Sequence, residues 1–181
     1  MANAAFSTHI KVVFGESLIA SSAATLSVMA LEVPVWAMFV GWISFFTRGL
    51  NLKQGAINLA CVLVGVALGI AAAYAMSVLT PLLGAYAITA VVLAITVVAL
   101  SLAKMPVLNN LLGFFLGLVM YFASHEPPSA AAFGMLSMAA MVGTVAAFLA
   151  HSLQQWIRQS AGGRGSAGPA VSRPGLTKKE S

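Results

Sequence analysis

Apolar residues run along this chain in long blocks, interrupted at a few places by charge, proline or glycine. The longest charge-free block is Gln54 to Ala103, fifty residues. As helix, at about 1.5 Å per residue, it measures roughly 75 Å, enough to cross a hydrocarbon layer of about 30 Å twice with a turn between. Thr80-Pro81-Leu82-Leu83-Gly84 supplies the turn, because proline and glycine punctuate local structure. Lys104-Met105-Pro106 ends the second pass. The next block, 107–124, stops at His125-Glu126-Pro127-Pro128. The last, about 130–155, stops near Trp156 and Arg158, side chains that suit a membrane interface.

The N-terminal blocks are less regular. Val12 to Leu31 contains Glu16. Glu32-Val33-Pro34 follows, and then Val35 to Thr47, only thirteen residues. Two separate spans are one reading. A re-entrant hairpin over 17–47 is the other, but it would sink Glu32 into hydrocarbon at a cost of about 3 kcal/mol or more. Two spans are therefore favoured. A cleavable leader over residues 1–30 is disfavoured by Glu16 inside the apolar stretch and by a single early basic residue, Lys11. The pattern predicts an all-α membrane protein with six transmembrane helices, at 12–31, 34–47, 55–78, 83–103, 106–124 and 130–155.

Composition agrees with that class. Hydrophobic residues make up 60% of the 181 positions and charged residues 7%, and the mean hydropathy is +0.97. A soluble domain carries about 25% charge. The net charge of +5 does not indicate nucleic-acid binding, because the basic residues are scattered or lie in the tail. They do set an orientation. With six spans and the N-terminus inside, the segments 1–11, 48–54, 104–105 and 156–181 are cytoplasmic, and they hold all nine Lys and Arg. The opposite side holds Glu32 and Glu126 and no basic residue. The expected organisation is a cytoplasmic N-terminus (1–11), a membrane domain (12–155) and a disordered cytoplasmic tail (156–181) rich in Gly, Ser, Pro and Lys.

The two halves share a pattern. Ala37-Met38-Phe39-Val40-Gly41-Trp42-Ile43-Ser44-Phe45-Phe46 matches Gly113-Phe114-Phe115-Leu116-Gly117-Leu118-Val119-Met120-Tyr121-Phe122 at an offset of 76. Val64-Gly65 matches Val142-Gly143 at 78, and Pro34-Val35 matches Pro106-Val107 at 72. Three spans per half would turn the second half upside down, a 3+3 inverted repeat of the kind found in transporters. Small residues four apart are also ordinary helix-packing devices. On either reading Gly41, Gly65, Gly113 and Gly117 are expected at helix crossings, with Gly41 and Gly117 marking a central meeting of the second helix of each half.

Trp36-Ala37-Met38-Phe39-Val40-Gly41-Trp42-Ile43-Ser44-Phe45-Phe46, followed by a basic loop ending Leu52-Lys53-Gln54-Gly55, resembles the bacterial inner-membrane proteins grouped as domain-of-unknown-function family 1097. The resemblance extends more loosely over 12–155 and leaves out the tail. It implies a small multi-pass protein of the bacterial inner membrane and supplies no activity or site.

Catalytic and metal-binding patterns are missing, so an enzyme, a metal site and a cofactor are not expected. The chain has no Asp, and His9, His125 and His151 lack close-spaced partners. Cys61 is the single cysteine. Met135, Met138 and Met141 read as packing rather than as a soft-metal site. Glu16 is either an intramembrane carboxylate or an interfacial residue at a helix start. Asn58, Asn109 and Asn110 are amides in apolar segments. They either bond between helices or line a polar path. Trp42 falls near the expected midplane and ranks above Trp36 as a pathway candidate. Two functions follow as expectations. One is a channel or transporter for a small neutral or weakly charged solute. The alternative is a non-transporting membrane subunit or assembly protein. Expected partners are the lipid bilayer, such a solute and a second copy of the chain.

Overall fold

The computed structural model describes residues 2–163, and among these the protein is all helical. The helices are α1 (Ala2–Met29), α2 (Val35–Phe46), α3 (Leu52–Leu83), α4 (Ala87–Leu102), α5 (Leu111–Ser124) and α6 (Ala130–Gly163). A 3-10 turn, Gly84–Tyr86, joins α3 to α4. Three apolar helical stretches have the length and composition to cross a membrane: Phe6–Met29, Leu52–Leu102 and Ala130–Ala161. The middle one doubles back at Gly84, whose φ of +53° belongs to glycine, and α4 packs against α3. Val35–Phe46 and Leu111–Ser124 are shorter. At about 1.5 Å per residue they span roughly 18 and 21 Å, less than a hydrocarbon layer.

Several boundaries differ from the sequence expectation. Pro81 does not end α3, which runs on to Leu83. Residues 104–110 are not helical, although helix was expected from 106. Pro106 favours extended backbone before it, and Asn110 starts α5 by accepting the Gly113 amide at 3.2 Å. Asn51 caps α3 in the same way, through the Gln54 amide at 2.9 Å. Residues 2–11 belong to α1 instead of forming a separate terminus, and α6 continues to Gly163, well past the expected boundary at 155. The remainder of the expected tail, from Arg164, lies outside the described residues.

Packing sorts the helices into two groups of three. In one, α2 and α1 lie against α6. In the other, α5 and α4 lie against α3. Helices in lipid gain little from hydrophobic association, so close backbone approach carries the packing. A Cβ on Gly41 would fall on the Ala140 carbonyl, and one on Gly143 would fall on the Met38 carbonyl. In the other group a Cβ on Gly117 would fall on the Val62 carbonyl, and one on Gly65 on the Phe114 carbonyl. These contacts correspond at the offsets of 76 and 78 seen in the sequence. The expected meeting of Gly41 with Gly117 is therefore corrected. Each glycine crosses the third helix of the opposite half, because only there does a small partner, Gly143 or Gly65, face it. Both crossings are parallel: Phe45 follows Gly41 onto Phe148 and His151, and Tyr121 follows Gly117 onto Gly69. The aromatic pairs also correspond, with ring centroids 5.2 Å apart in Phe45–Phe46 and 5.4 Å in Tyr121–Phe122.

Candidate functional site

The two three-helix bundles meet along α2, α3, α5 and α6. Their shared middle is dry. Ala37, Val62, Val66, Met120, Leu136, Ala139 and Ala140 pack there, each essentially without exposure. The two ends of this seam differ in chemistry.

At one end, amides close it. Asn58 is fully buried on α3, and its Nδ2 donates to the Arg48 carbonyl at 3.0 Å and the Phe45 carbonyl at 3.4 Å. Asn110, also buried, donates from Nδ2 to the Thr47 hydroxyl at 2.7 Å and to Asn58 Oδ1 at 2.8 Å, while its Oδ1 caps α5. Phe45, Thr47 and Arg48 belong to the α2 side of the seam. Asn58 and Asn110 belong to the other. An unpaired amide in this setting would cost about 1–3 kcal/mol, and here the side-chain donors and acceptors find partners.

At the other end the bundles part around a cavity of about 410 Å³. Its walls include Glu32 and Pro34 from the α1–α2 connection, Trp36 in the first turn of α2, Ser124 at the end of α5, Glu126 just beyond it, and Met135 of α6. No Lys or Arg lines it. Pro34 starts α2 with no side-chain cap. Among the described residues the two non-glycine positions with positive φ, Glu32 at 52° and His125 at 55°, both belong to this end. Such conformations cost about 1–2 kcal/mol each and persist where the surroundings fix them.

The remaining candidates fall elsewhere. Trp42 is half-buried on the far side of α2 from the seam, packed with Ala23 of α1, Met38 and Ala146, with its ring 6.4 Å from that of Phe46. Asn109 is exposed, whereas its neighbour Asn110 is buried. Glu16 is half-buried on α1, beside Gly15, which faces Leu153 of α6. Gly113 lies on Cys61 and continues the α3–α5 contact. Ser21 and Thr25 of α1 are exposed and bond back to carbonyls of their own helix. No group of three potential metal ligands exists among the described residues. Two grooves, of about 570 Å³ between α1 and α6 and about 550 Å³ between α3, α4 and α5, are walled by Leu, Ile, Val, Met and Phe and suit hydrocarbon.

Comparison with known proteins gives one match. The family model described as "Protein of unknown function (DUF1097)" matches residues 14–155. The chain belongs to this family. The match covers both glycine crossings and both ends of the seam, and stops before the last turns of α6. No curated protein and no solved structure matches the chain.

Sequence reasoning singled out Asn58 and Asn110 but missed their partner, Thr47, and missed the cavity. Glu126 is exposed in the loop after α5, and it lines that cavity as well. The signal that Glu32 and Glu126 share one side was present in the partition of charge, without any indication that both would line one hollow.

Proposed function

We propose that this family member is a six-span protein of the bacterial inner membrane, with both termini cytoplasmic, that passes a small solute between two inverted three-helix halves. The observation that carries this reading is the seam: open around a polar-walled cavity at one end, closed by bonded amides at the other. Support for inversion comes from the glycine crossings, which exchange partners at two constant offsets. The two short helices, α2 and α5, occupy corresponding places in the halves. Short or interrupted apolar helices at matching positions point to the substrate region of repeat-built transporters. Irregular backbone flanking them is tolerated where it is covered by protein or lines a cavity. The distribution of Lys and Arg supports an orientation with the cavity end outside and the amide end inside. Two carboxylates without a basic partner repel anions, so the solute is neutral or cationic.

Flux into proteoliposomes of a panel of small neutral and cationic solutes tests the reading. Glu32→Gln with Glu126→Gln should lower cation entry about tenfold at low salt, by removing local attraction, and should spare neutral solutes. Flux no greater than in empty vesicles for the whole panel would remove transport. Orientation is tested separately by introducing cysteine at Asn51 or Glu126 in a Cys61→Ala background. Impermeant maleimide should reach position 126 from outside and position 51 only from inside.

The dry middle of the seam favours a second reading, a tightly packed subunit that assembles with other membrane proteins. The same flux panel decides between the two.

A further inference from the structure

We propose that Asn58, Asn110 and Thr47 form a releasable latch that holds the amide end of the seam shut, and that its opening is coupled to closure of the Glu32/Glu126 cavity. Such a latch presupposes the two-bundle transport reading above.

Three features carry it. First, the bonds run between the bundles. Asn110 reaches Thr47, 63 positions away in sequence, and Asn58 reaches the Arg48 and Phe45 carbonyls at the end of α2. Second, the tie is polar and local. Asn110 donates both to Thr47 across the seam and to Asn58 Oδ1 within its own bundle, so a small movement of the α4–α5 connection breaks one seam bond and loosens Asn58, whose donors to the Arg48 and Phe45 carbonyls make the others. The freed groups would then be re-solvated by water entering from that end, which keeps the net cost to that of ordinary hydrogen bonds. An equilibrium held by two or three such bonds can be reversed by a ligand's modest preference for one state. Third, the corresponding place at the other end has no such tie. Pro34 starts α2 as Asn110 starts α5, but it has neither amide side chain nor backbone N–H, and there the bundles part around the cavity. In a symmetric pair of bundles, closing one end and opening the other are two positions of one rocking motion.

The chain carries its own reporter. Cys61, its single cysteine, is fully buried, one turn along α3 from Asn58 and against Gly113 of α5. Alkylation of Cys61 by an impermeant maleimide, applied to inside-out and right-side-out vesicles of the full-length protein, reads opening of the amide end without reference to any solute. Asn110→Ser retains a capping oxygen for α5 while falling short of Thr47 and Asn58. Thr47→Val removes the seam bond, together with the hydroxyl's bond to the Ser44 carbonyl of its own helix, with little change of shape. Cavity access is read on the same backgrounds by Ser124→Cys with Cys61→Ala.

Asn110→Ser should raise the Cys61 alkylation rate about tenfold from the amide side and not from the other. Thr47→Val should raise it by a smaller factor, and labelling at position 124 should slow in both. Unchanged Cys61 rates in both variants would overturn the latch. Faster labelling at both positions would also overturn it, because that is loosening of the fold and not an exchange of open ends. A latch confirmed by accessibility together with a flux panel that fails would leave the moving seam and remove only the transport reading.

Discussion

At the amide end of the seam, Asn110 ties the two bundles through Thr47, and Asn58 ties them through the Arg48 and Phe45 carbonyls. At the acidic end, Pro34 at the start of α2 makes no such tie, and a cavity flanked by Glu32 and Glu126 opens between them above the buried Val33. The helices around both places are nearly alike. Each has a short second helix crossing a long third helix through paired glycines, with an aromatic pair one turn further on. Backbone packing therefore makes the ends equivalent, and a few side chains make them different. The scaffold is set by residues that lack side-chain bulk. Its sidedness is set by one asparagine, one proline and two carboxylates.

The most severe way to break the comparison is to break a crossing. Gly41→Leu and Gly117→Leu each place a side chain on a backbone carbonyl, which no rotamer can avoid. Overpacking in a closed core costs about 1–3 kcal/mol, and more where backbone must move. Both variants should lose most of the monodisperse protein extracted in mild detergent, to a similar degree. A large loss for one and a mild loss for the other would mean that the two crossings are not equivalent, and the inverted repeat would lose its main support.

Next in size is the amide end. Asn110→Leu removes the α5 cap and strands Asn58 Oδ1, so unfolding stability in detergent should fall by about 2–4 kcal/mol. The adjacent Asn109→Leu, at an exposed position, should change stability by less than about 0.5 kcal/mol. Equal effects at 109 and 110 would show that the hydrogen-bond tie contributes little beyond general polarity of the loop.

How much of this was legible in the sequence differs between scaffold and site. Helix number and order could be read from blocks of apolar residues and their breaks, because a chain in hydrocarbon must satisfy its own backbone. The start of α5 could not. Val107-Leu108 is as apolar as the helix after it, and in lipid no polar face marks where helix begins. Only the Asn110 cap and the proline before it settle the boundary. The small residues could be read as crossing points, but not their partners. Gly41 facing Gly117 and Gly41 facing Gly143 are equally consistent with the spacing. Asn58 and Asn110 were conspicuous singly, and their pairing across 52 positions follows from the parallel run of α3 beside α5. Trp42 was conspicuous by depth, and depth does not say which side of α2 faces the seam.

The smallest expected effect compares the crossings themselves. In the α2–α6 crossing, Thr144 Oγ1 donates to the Gly41 carbonyl at 3.1 Å as well as to Ala140 of its own helix at 2.9 Å. The position corresponding to Thr144 in the α3–α5 crossing is Val66, which has no hydroxyl and is fully buried. The second crossing thus holds without the bond that the first one has. Interhelical hydrogen bonds of this kind average about 0.6 kcal/mol inside membrane proteins, because the separated helix also finds partners for its hydroxyls. Thr144 already has such a partner in Ala140, so Thr144→Val forfeits only the shared part of a bifurcated bond. Valine matches threonine in shape, so no cavity or clash accompanies the change. Stability measured by reversible unfolding in mixed micelles should drop by no more than about 0.6 kcal/mol, leaving the two crossings chemically alike. A loss several times larger would mean that the glycine contact does not hold the first crossing by itself, and that the resemblance between the crossings is one of shape and not of energetics.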